Sequence, residues 1–156
     1  MGEQMLARAR RRSGRAALLY CDLDRFKQIN DSLGHRVGDA VLRAFRERCA
    51  ATLRRSDCLA RLGGDEFVVL LGASPAREQL EAMARRLGER LSEPVSWEGE
   101  ELAISASIGV ALWPQDGHSL EALMLAADRA MYHSKRRRGT YAFFDSLTGE
   151  VAGEAS

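Results

Sequence analysis

The chain has 156 residues, of which 46% are hydrophobic, and its 23 Lys and Arg nearly balance its 22 Asp and Glu. This composition is typical of one globular domain and excludes collagen, coiled-coil and wholly disordered chains. A net charge of +1 argues against a nucleic-acid partner, since a general binder needs a strong basic excess. No apolar stretch approaches the roughly 18 residues of a bilayer span, so we expect no membrane contact in this chain.

Cysteine usage indicates a cytoplasmic location. Cys21, Cys49 and Cys58 are odd in number and form no CxxC pair, so reduced thiols are the simplest interpretation. A parent protein anchored in a membrane through other segments agrees equally well with this pattern.

The N-terminal part predicts a lead-in helix, a strand and a second helix. Residues 1–15 are rich in arginine and form the expected lead-in. Residues 16–21 are a continuous apolar run, short enough for a buried strand. The next helix is expected over 24–33, with Asp24 as its N-cap and Gly34 as its stop.

The middle of the chain predicts a helix, a hairpin and another helix. One helix is expected to start near Gly38, and strands at 58–62 and 66–71 join through paired glycines. The following helix is expected to begin at Pro75. Apolar spacings of three and four predict the buried helix faces, namely Val41, Leu42, Phe45, Cys49 and Leu53, then Leu80, Ala84, Leu87 and Leu91.

The C-terminal part predicts a weak hairpin over 94–102 and a half-buried strand over 104–110, followed by a helix that Ser119 caps. A last short strand is expected over 141–144. The resulting order, β-α-α-β-β-α-(ββ)-β-α-β, predicts an α+β domain with a partly antiparallel sheet. We place this domain at residues 16–145, and residues 146–156 form a flexible tail or linker.

Two acidic clusters fall at predicted strand ends. Asp22 and Asp24 follow the first strand, and Asp65 and Glu66 follow the double glycine. If the two strands are neighbours, up to four carboxylates converge and repel one another, and a divalent cation with oxygen ligands removes that repulsion. The plain structural alternative is two unrelated Asp-rich turns.

The helix between the clusters has the chemistry of a nucleotide site. Free N–H groups at its start can receive phosphate. Asn30 offers both a donor and an acceptor to a purine edge, and Asp39 offers an acceptor. The structural alternatives are a turn role for Asn30 and a helix-dipole role for Asp39.

Residues 61–67 read RLGGDEF, which resembles the signature of GGDEF domains, the diguanylate cyclases. Further matches occur in the same order along the chain, and the resemblance covers about residues 15–145. They are Asp22–Lys27, Ile29–Asp31, Gly34 with His35, Gly38 with Asp39, Ser107–Val110, and Ala127–Tyr132 with Lys135. Together these motifs are highly specific.

The resemblance implies a fold and a reaction. Members of the family have a largely antiparallel five-stranded sheet flanked by helices, like nucleotidyl cyclases and polymerase palm domains. Each domain binds one GTP, so two must face each other as a homodimer. The 3′-hydroxyl of one GTP attacks the α-phosphorus of the other, and two such steps yield cyclic di-GMP and two pyrophosphates.

The resemblance also implies the metal and catalytic residues. Asp22, the main-chain carbonyl of Leu23 and Asp65 are expected to hold Mg²⁺ or Mn²⁺. Glu66 is expected to share a second ion and to help activate the ribose 3′-hydroxyl.

The implied nucleotide contacts follow the same motifs. Asn30 and Asp39 are expected to recognise guanine, and Gly63 and Gly64 to let the nucleotide approach the hairpin. The backbone of Phe26 and the side chains of Lys27 and Lys135 are expected to contact the phosphates.

Near Lys135 the chain departs from the family pattern. Gly139 is displaced by one residue, so the arginine expected at the phosphates is unassigned and Arg138 is a candidate.

Arg54 and Asp57 match, in type and register, the RxxD motif of the family's inhibitory product site. An arginine fork and a carboxylate suit a guanine edge and a bridging phosphate. Arg86 is expected as the secondary arginine, with Arg85 as the alternative register. The structural alternative is an exposed ion pair between residues three apart.

Two features support a second function. The family's usual opening segment, resembling DxLTGLPNR, is not found in residues 1–15, which suggests a fragment with a truncated family start. Residues 143–145 resemble the junction to an EAL phosphodiesterase domain. A catalytically weak or inactive domain that binds GTP or cyclic di-GMP and regulates an adjacent EAL-type domain is therefore the alternative, and fusion to other signalling domains is expected.

Overall fold

The computed structural model describes residues 4, 7, 14–55, 57–136 and 140–147. Its elements follow the order predicted from sequence. They are β1 (Ala16–Leu23), α1 (Phe26–Leu33), α2 (His35–Ala51), β2 (Asp57–Gly63), β3 (Glu66–Leu71), α3 (Arg77–Leu91), β4 (Val95–Trp97), β5 (Glu100–Leu102), β6 (Ala106–Trp113), α4 (Leu120–Lys135) and β7 (Tyr141–Phe143).

Five strands form the central sheet in the order β2-β3-β1-β6-β7, which confirms the largely antiparallel five-stranded sheet. The central strand β1 is antiparallel to β3 and to β6, whereas β6 and β7 run parallel. Strands β4 and β5 make a separate hairpin. Every residue of β1 is buried, as its continuous apolar sequence predicted.

Helices cover both faces of the sheet. Alternate residues of β1 point to opposite faces, so Leu19 and Cys21 pack with α2 and α3, and Leu18 and Tyr20 pack with α4. The predicted stripes are confirmed. Val41, Phe45 and Cys49 of α2 are fully buried, as are Leu80, Ala84, Leu87 and Leu91 of α3, while Leu42 and Leu53 pack partly buried against the same core.

Some predicted element limits were wrong. Asp24 is not an N-cap, because α1 follows Arg25, whose φ is 59°, and no side chain caps the helix. Helix α2 begins at His35, three residues before Gly38, because Gly34 both ends α1 and precedes α2. Helix α3 begins at Arg77, after Pro75. The start of the α4 helix was predicted correctly, since the Ser119 side chain accepts from the Ala122 amide.

Strand β6 is buried on both faces, and the half-buried strand expected from its alternation was therefore wrong. Helix α4 lies directly against its backbone. A Cβ atom on Gly109 would lie 1.9 Å from the Ala127 carbonyl oxygen and 2.3 Å from the Met131 amide nitrogen. A glycine at this position lets the helix approach the strand.

Apart from residues 4, 7, 14 and 15, the predicted lead-in helix lies outside the described residues. The predicted tail lies outside them beyond residue 147. Within the described ranges, no helix is long and apolar enough to cross a membrane.

We expect Gly109→Ala to lower the free energy of unfolding by roughly 2–3 kcal/mol, because its methyl group must displace backbone rather than a flexible side chain. Urea denaturation followed by circular dichroism measures this change. The control is Gly99→Asn, at an open turn position with φ of 81° that asparagine tolerates. An equal loss in both variants would contradict the close packing of α4 on β6.

Candidate nucleotide site at the end of the central strand

The two acidic clusters lie side by side, because the strands that carry them are neighbours, which was the condition left open by the sequence. Asp22 near the end of β1 is the register partner of Glu66 at the start of β3. The Leu23 amide donates to the Asp65 carbonyl over 3.4 Å. The antiparallel pairing of β1 with β3 therefore brings the acidic ends of both strands together.

A tight turn joins β2 to β3 beside these acids. Gly63 has φ of 151° and Gly64 has φ of 49°, which L residues rarely adopt. The space around both Cα atoms is open. The Arg61 guanidinium donates twice to the Gly64 carbonyl, at 2.8 and 3.0 Å, and so braces the turn.

The Asp22 carboxyl is short of partners. It is buried, and its Oδ2 lies 3.0 Å from Lys135 Nζ, while its Oδ1 has no hydrogen-bond partner among the described residues. Burial and the neighbouring Asp65 carboxyl raise the pKa of Asp22 to about 7, against the opposing effect of Lys135.

An unpartnered buried oxygen beside a second carboxyl is the environment that a divalent cation stabilises, so the donor set fits Mg²⁺. Within the described ranges, however, no three His, Cys, Asp or Glu are arranged as a ready metal cluster. The two further acids already accept hydrogen bonds, Asp24 from serines and Glu66 from Tyr20. Of the four acids whose convergence was considered from sequence, Asp22 is thus the one with an unpartnered buried oxygen.

Asp24 stabilises the backbone around the site through side-chain hydrogen bonds. Its carboxylate accepts from the Ser105 hydroxyl at 2.6 Å and from the Ser107 hydroxyl at 2.7 Å. Ser105 belongs to no recognisable motif, whereas Ser107 lies in the motif over 107–110. These bonds fix the β1 terminus to the segment that leads into β6.

Lys135, at the end of α4, bridges the two aspartates of the first cluster. Its Nζ lies 3.0 Å from Asp22 Oδ2 and 3.3 Å from Asp24 Oδ1. Burial lowers the pKa of Lys135, but the two carboxylates outweigh burial and raise it above its ordinary value. The lysine that the family resemblance assigned to the phosphates therefore lies beside the predicted metal ligand Asp22.

Asn30 lies over the start of α2. Its Oδ1 is 1.7 Å from the position that a Cβ on Gly38 would take, so a side chain at 38 would have to displace the Asn30 amide. The next residue, Asp39, is exposed and lines an open groove with Leu42 and Arg61. The two residues predicted to recognise guanine thus both lie at the start of α2, since Asn30 contacts Gly38 and Asp39 follows it.

Phe26 and Lys27 form the first turn of α1, and Lys27 is exposed. Backbone N–H groups of this turn have no helical acceptor, as phosphate binding requires. Arg138 and Gly139, considered for the same role, lie outside the described residues.

Two acidic-site residues were missed from sequence. The Tyr20 hydroxyl donates to Glu66 Oε2. Burial, this bond and nearby carboxylates, including that of Asp128 on α4, raise the pKa of Tyr20 above its usual value. Burial and the charge of Glu66 also raise the pKa of Asp128. Tyr20 lies two residues before Asp22 on one strand face, which was the available signal.

The RxxD residues lie at the opposite end of β2. The Arg54 backbone amide donates to Asp57 Oδ2 at 2.9 Å, and no ion pair of the Arg54 guanidinium is found among residues that the structure describes. Arg54 shares an open groove with Arg86 and Arg90, while Arg85 is not among its lining residues. A seven-residue strand separates this groove from the acidic end by roughly 20 Å.

Comparisons with known proteins agree with this arrangement. A family model described as "Diguanylate cyclase, GGDEF domain" matches residues 2–140. The bifunctional diguanylate cyclase/cyclic di-GMP phosphodiesterase MucR of Pseudomonas aeruginosa is 47% identical over 155 residues, which are 97% of this chain and 22% of MucR. The chain spans about a fifth of the length of the curated relatives that it matches.

Solved structures show the same fold. The GGDEF domain of TpbB from Pseudomonas aeruginosa has a TM-score of 0.89 at 36% identity, with 97% of this chain and 89% of that chain covered. The GGDEF domain of DgcB from Caulobacter crescentus, solved in complex with c-di-GMP, has a TM-score of 0.83 at 27% identity, with 92% and 86% covered. The five-stranded sheet is thus the palm-like cyclase fold, and the chain belongs to the GGDEF domain family of diguanylate cyclases.

Proposed function

We propose that this domain condenses two GTP molecules into cyclic di-GMP and two pyrophosphates. The observation that carries the proposal is the placement of Asp22, Asp65 and Glu66 at one sheet end, beside an open glycine turn. MucR, whose name includes diguanylate cyclase activity, supports it through 47% identity.

Asp22, the Leu23 carbonyl and Asp65 would hold Mg²⁺ or Mn²⁺, and Glu66 would share a second ion. The unpartnered Asp22 Oδ1 supports this assignment. When bound, such ions supply charge neutralisation at the phosphates and clamp the attacking and leaving oxygens.

The remaining residues bind and orient GTP. Asn30 and Asp39 hydrogen-bond the guanine edge; Asn30 lies against Gly38, the residue before Asp39, and Asp39 lines an open groove. Lys135 lies beside Asp22 and is therefore within reach of phosphates bound there. Lys27 and the backbone of Phe26 contribute phosphate contacts at the first turn of α1. Gly63 and Gly64 leave room for the nucleotide.

In the reaction, Glu66 accepts the proton of the 3′-hydroxyl as that oxygen bonds to the α-phosphorus of a second GTP. The bond from that phosphorus to the bridging oxygen breaks, and pyrophosphate leaves with the electron pair. One chain presents one GTP, so a second copy supplies the other. The same step repeated in the opposite direction closes the ring.

We expect Glu66→Gln to lower cyclic di-GMP formation by roughly 10²–10⁴-fold, because the amide cannot accept the 3′-hydroxyl proton. Chromatographic quantification of product from GTP with Mg²⁺ or Mn²⁺ measures this loss. Glu100→Gln, on the exposed β5 strand, is the matched control and should retain activity. Undiminished product from Glu66→Gln would remove Glu66 from this role.

We also propose that cyclic di-GMP inhibits the domain at Arg54, Asp57 and Arg86. The hydrogen bond from the Arg54 backbone holds the Asp57 carboxylate in place, while Arg54 and Arg86 line one open groove. An arginine pair in a groove suits the phosphates of a cyclic dinucleotide.

We expect Arg54→Ala and Arg86→Ala each to raise the cyclic di-GMP concentration that halves activity by about tenfold or more, because each loses a charged hydrogen bond of roughly 1.5–3 kcal/mol. Inhibition curves with added cyclic di-GMP measure this shift. Arg85→Ala is the matched control and should stay within about twofold of wild type. An Arg85 effect without an Arg86 effect would move the second arginine to the alternative register.

The second candidate is a regulatory domain that binds GTP or cyclic di-GMP and controls an adjacent phosphodiesterase domain. Its support is the resemblance of residues 143–145 to the junction with an EAL domain; there the Arg77 side chain lies 3.9 Å over the ring of Phe143, the last residue of β7, and pairs with Asp145. MucR, described as bifunctional, supports fusion to a phosphodiesterase. GTP binding by calorimetry without any cyclic di-GMP would favour this function over catalysis.

A further inference from the structure

One contact at the acidic end belongs to neither the predicted metal ligands nor the predicted nucleotide contacts. The Tyr20 hydroxyl donates to Glu66 Oε2. Tyr20 is 8% exposed and occupies the same strand face as Asp22, whose register partner is Glu66. A buried phenol is therefore attached to the acid that performs the proposed proton transfer.

We propose that Tyr20 is a positioning residue that holds the Glu66 carboxylate in its productive orientation, an inference that rests on the proposed cyclase function. A glutamate has three side-chain torsions, and an exposed carboxylate samples many rotamers. The bond to Tyr20 restrains one carboxylate oxygen and leaves Oε1 as the oxygen for an ion or the 3′-hydroxyl proton.

The surroundings give Glu66 few other anchors. Asp22 and Asp128 are acidic neighbours, and the nearby cation Lys135 pairs with Asp22 and Asp24. Like charges repel the Glu66 carboxylate and do not fix it. In the described part of the chain, the Tyr20 hydroxyl is the hydrogen-bond donor found on the Glu66 side chain.

The Tyr20 ring has a separate packing role. It belongs to the core cluster beneath α4, with Leu18, Val68 and Met131 among its members. Tyr20→Phe keeps this ring and removes the hydroxyl alone. The variant therefore separates the positioning role from the packing role.

The first measurement is steady-state cyclic di-GMP formation by the full 156-residue chain. We expect Tyr20→Phe to lower kcat about tenfold with the KM for GTP within about twofold, because loss of an outer partner of a metal-binding acid typically costs 10–100-fold. Tyr132→Phe, an exposed tyrosine on α4, is the matched control and should behave as wild type. A purely structural role predicts a lower unfolding midpoint and unchanged kcat per folded molecule.

The second measurement does not need turnover. Mn²⁺ binding is followed by electron paramagnetic resonance in the presence of a GTP analogue with a methylene bridge between the α- and β-phosphates. We expect Tyr20→Phe to weaken Mn²⁺ affinity by roughly tenfold in wild type and to have no effect in a Glu66→Gln background. Equal weakening in both backgrounds, or no weakening in either, would overturn the inference.

The two proposals fail in different ways. If the wild-type chain makes no cyclic di-GMP, the cyclase proposal fails, and the Mn²⁺ titrations alone still decide the role of Tyr20. If wild type makes product and Tyr20→Phe matches it in kcat and Mn²⁺ affinity, only the inference about Tyr20 is wrong.

Discussion

Crowding of acidic groups at a buried strand end is the constraint on which the site depends. Asp22 is 7% exposed and lies beside Asp65, so its ionised form is disfavoured and its pKa rises to about 7. One lysine, Lys135, offsets part of this charge. The fold thus maintains a local excess of negative charge that its own cations do not fully balance, a state that binding of an external cation relieves.

The sheet order produces this crowding. Because β1 lies between β3 and β6, Asp22 has Glu66 as register partner on one side and Ser107 on the other. The same position of β1 brings the end of α4 close, so Lys135 reaches the cluster from a distant part of the sequence. Residues separated by more than 100 positions therefore meet within one small volume.

Local patterns predicted the strands and the glycine turn, because apolar runs and paired glycines act over a few residues. They left the adjacency of Asp22 and Asp65 conditional on strand pairing, and the family resemblance and then the β1–β3 register supplied it. The role of Asp24 was not predictable in the same way. An acidic residue before a helix has the same sequence pattern whether it caps that helix or accepts from Ser105 and Ser107, which lie 81 and 83 positions away. The contact of Tyr20 with Glu66 was not predictable for a related reason, since a tyrosine within an apolar run is consistent with ordinary core packing.

The contact between Asn30 and Gly38 makes the side chains tolerated at position 38 depend on the residue at position 30. A methyl group at 38 would occupy the volume of the Asn30 amide, so any larger residue there must displace it. A smaller residue at 30 would instead vacate that volume and permit side chains at 38. Among variant chains, the appearance of alanine or serine at 38 would therefore mark those in which the amide at 30 no longer occupies its place.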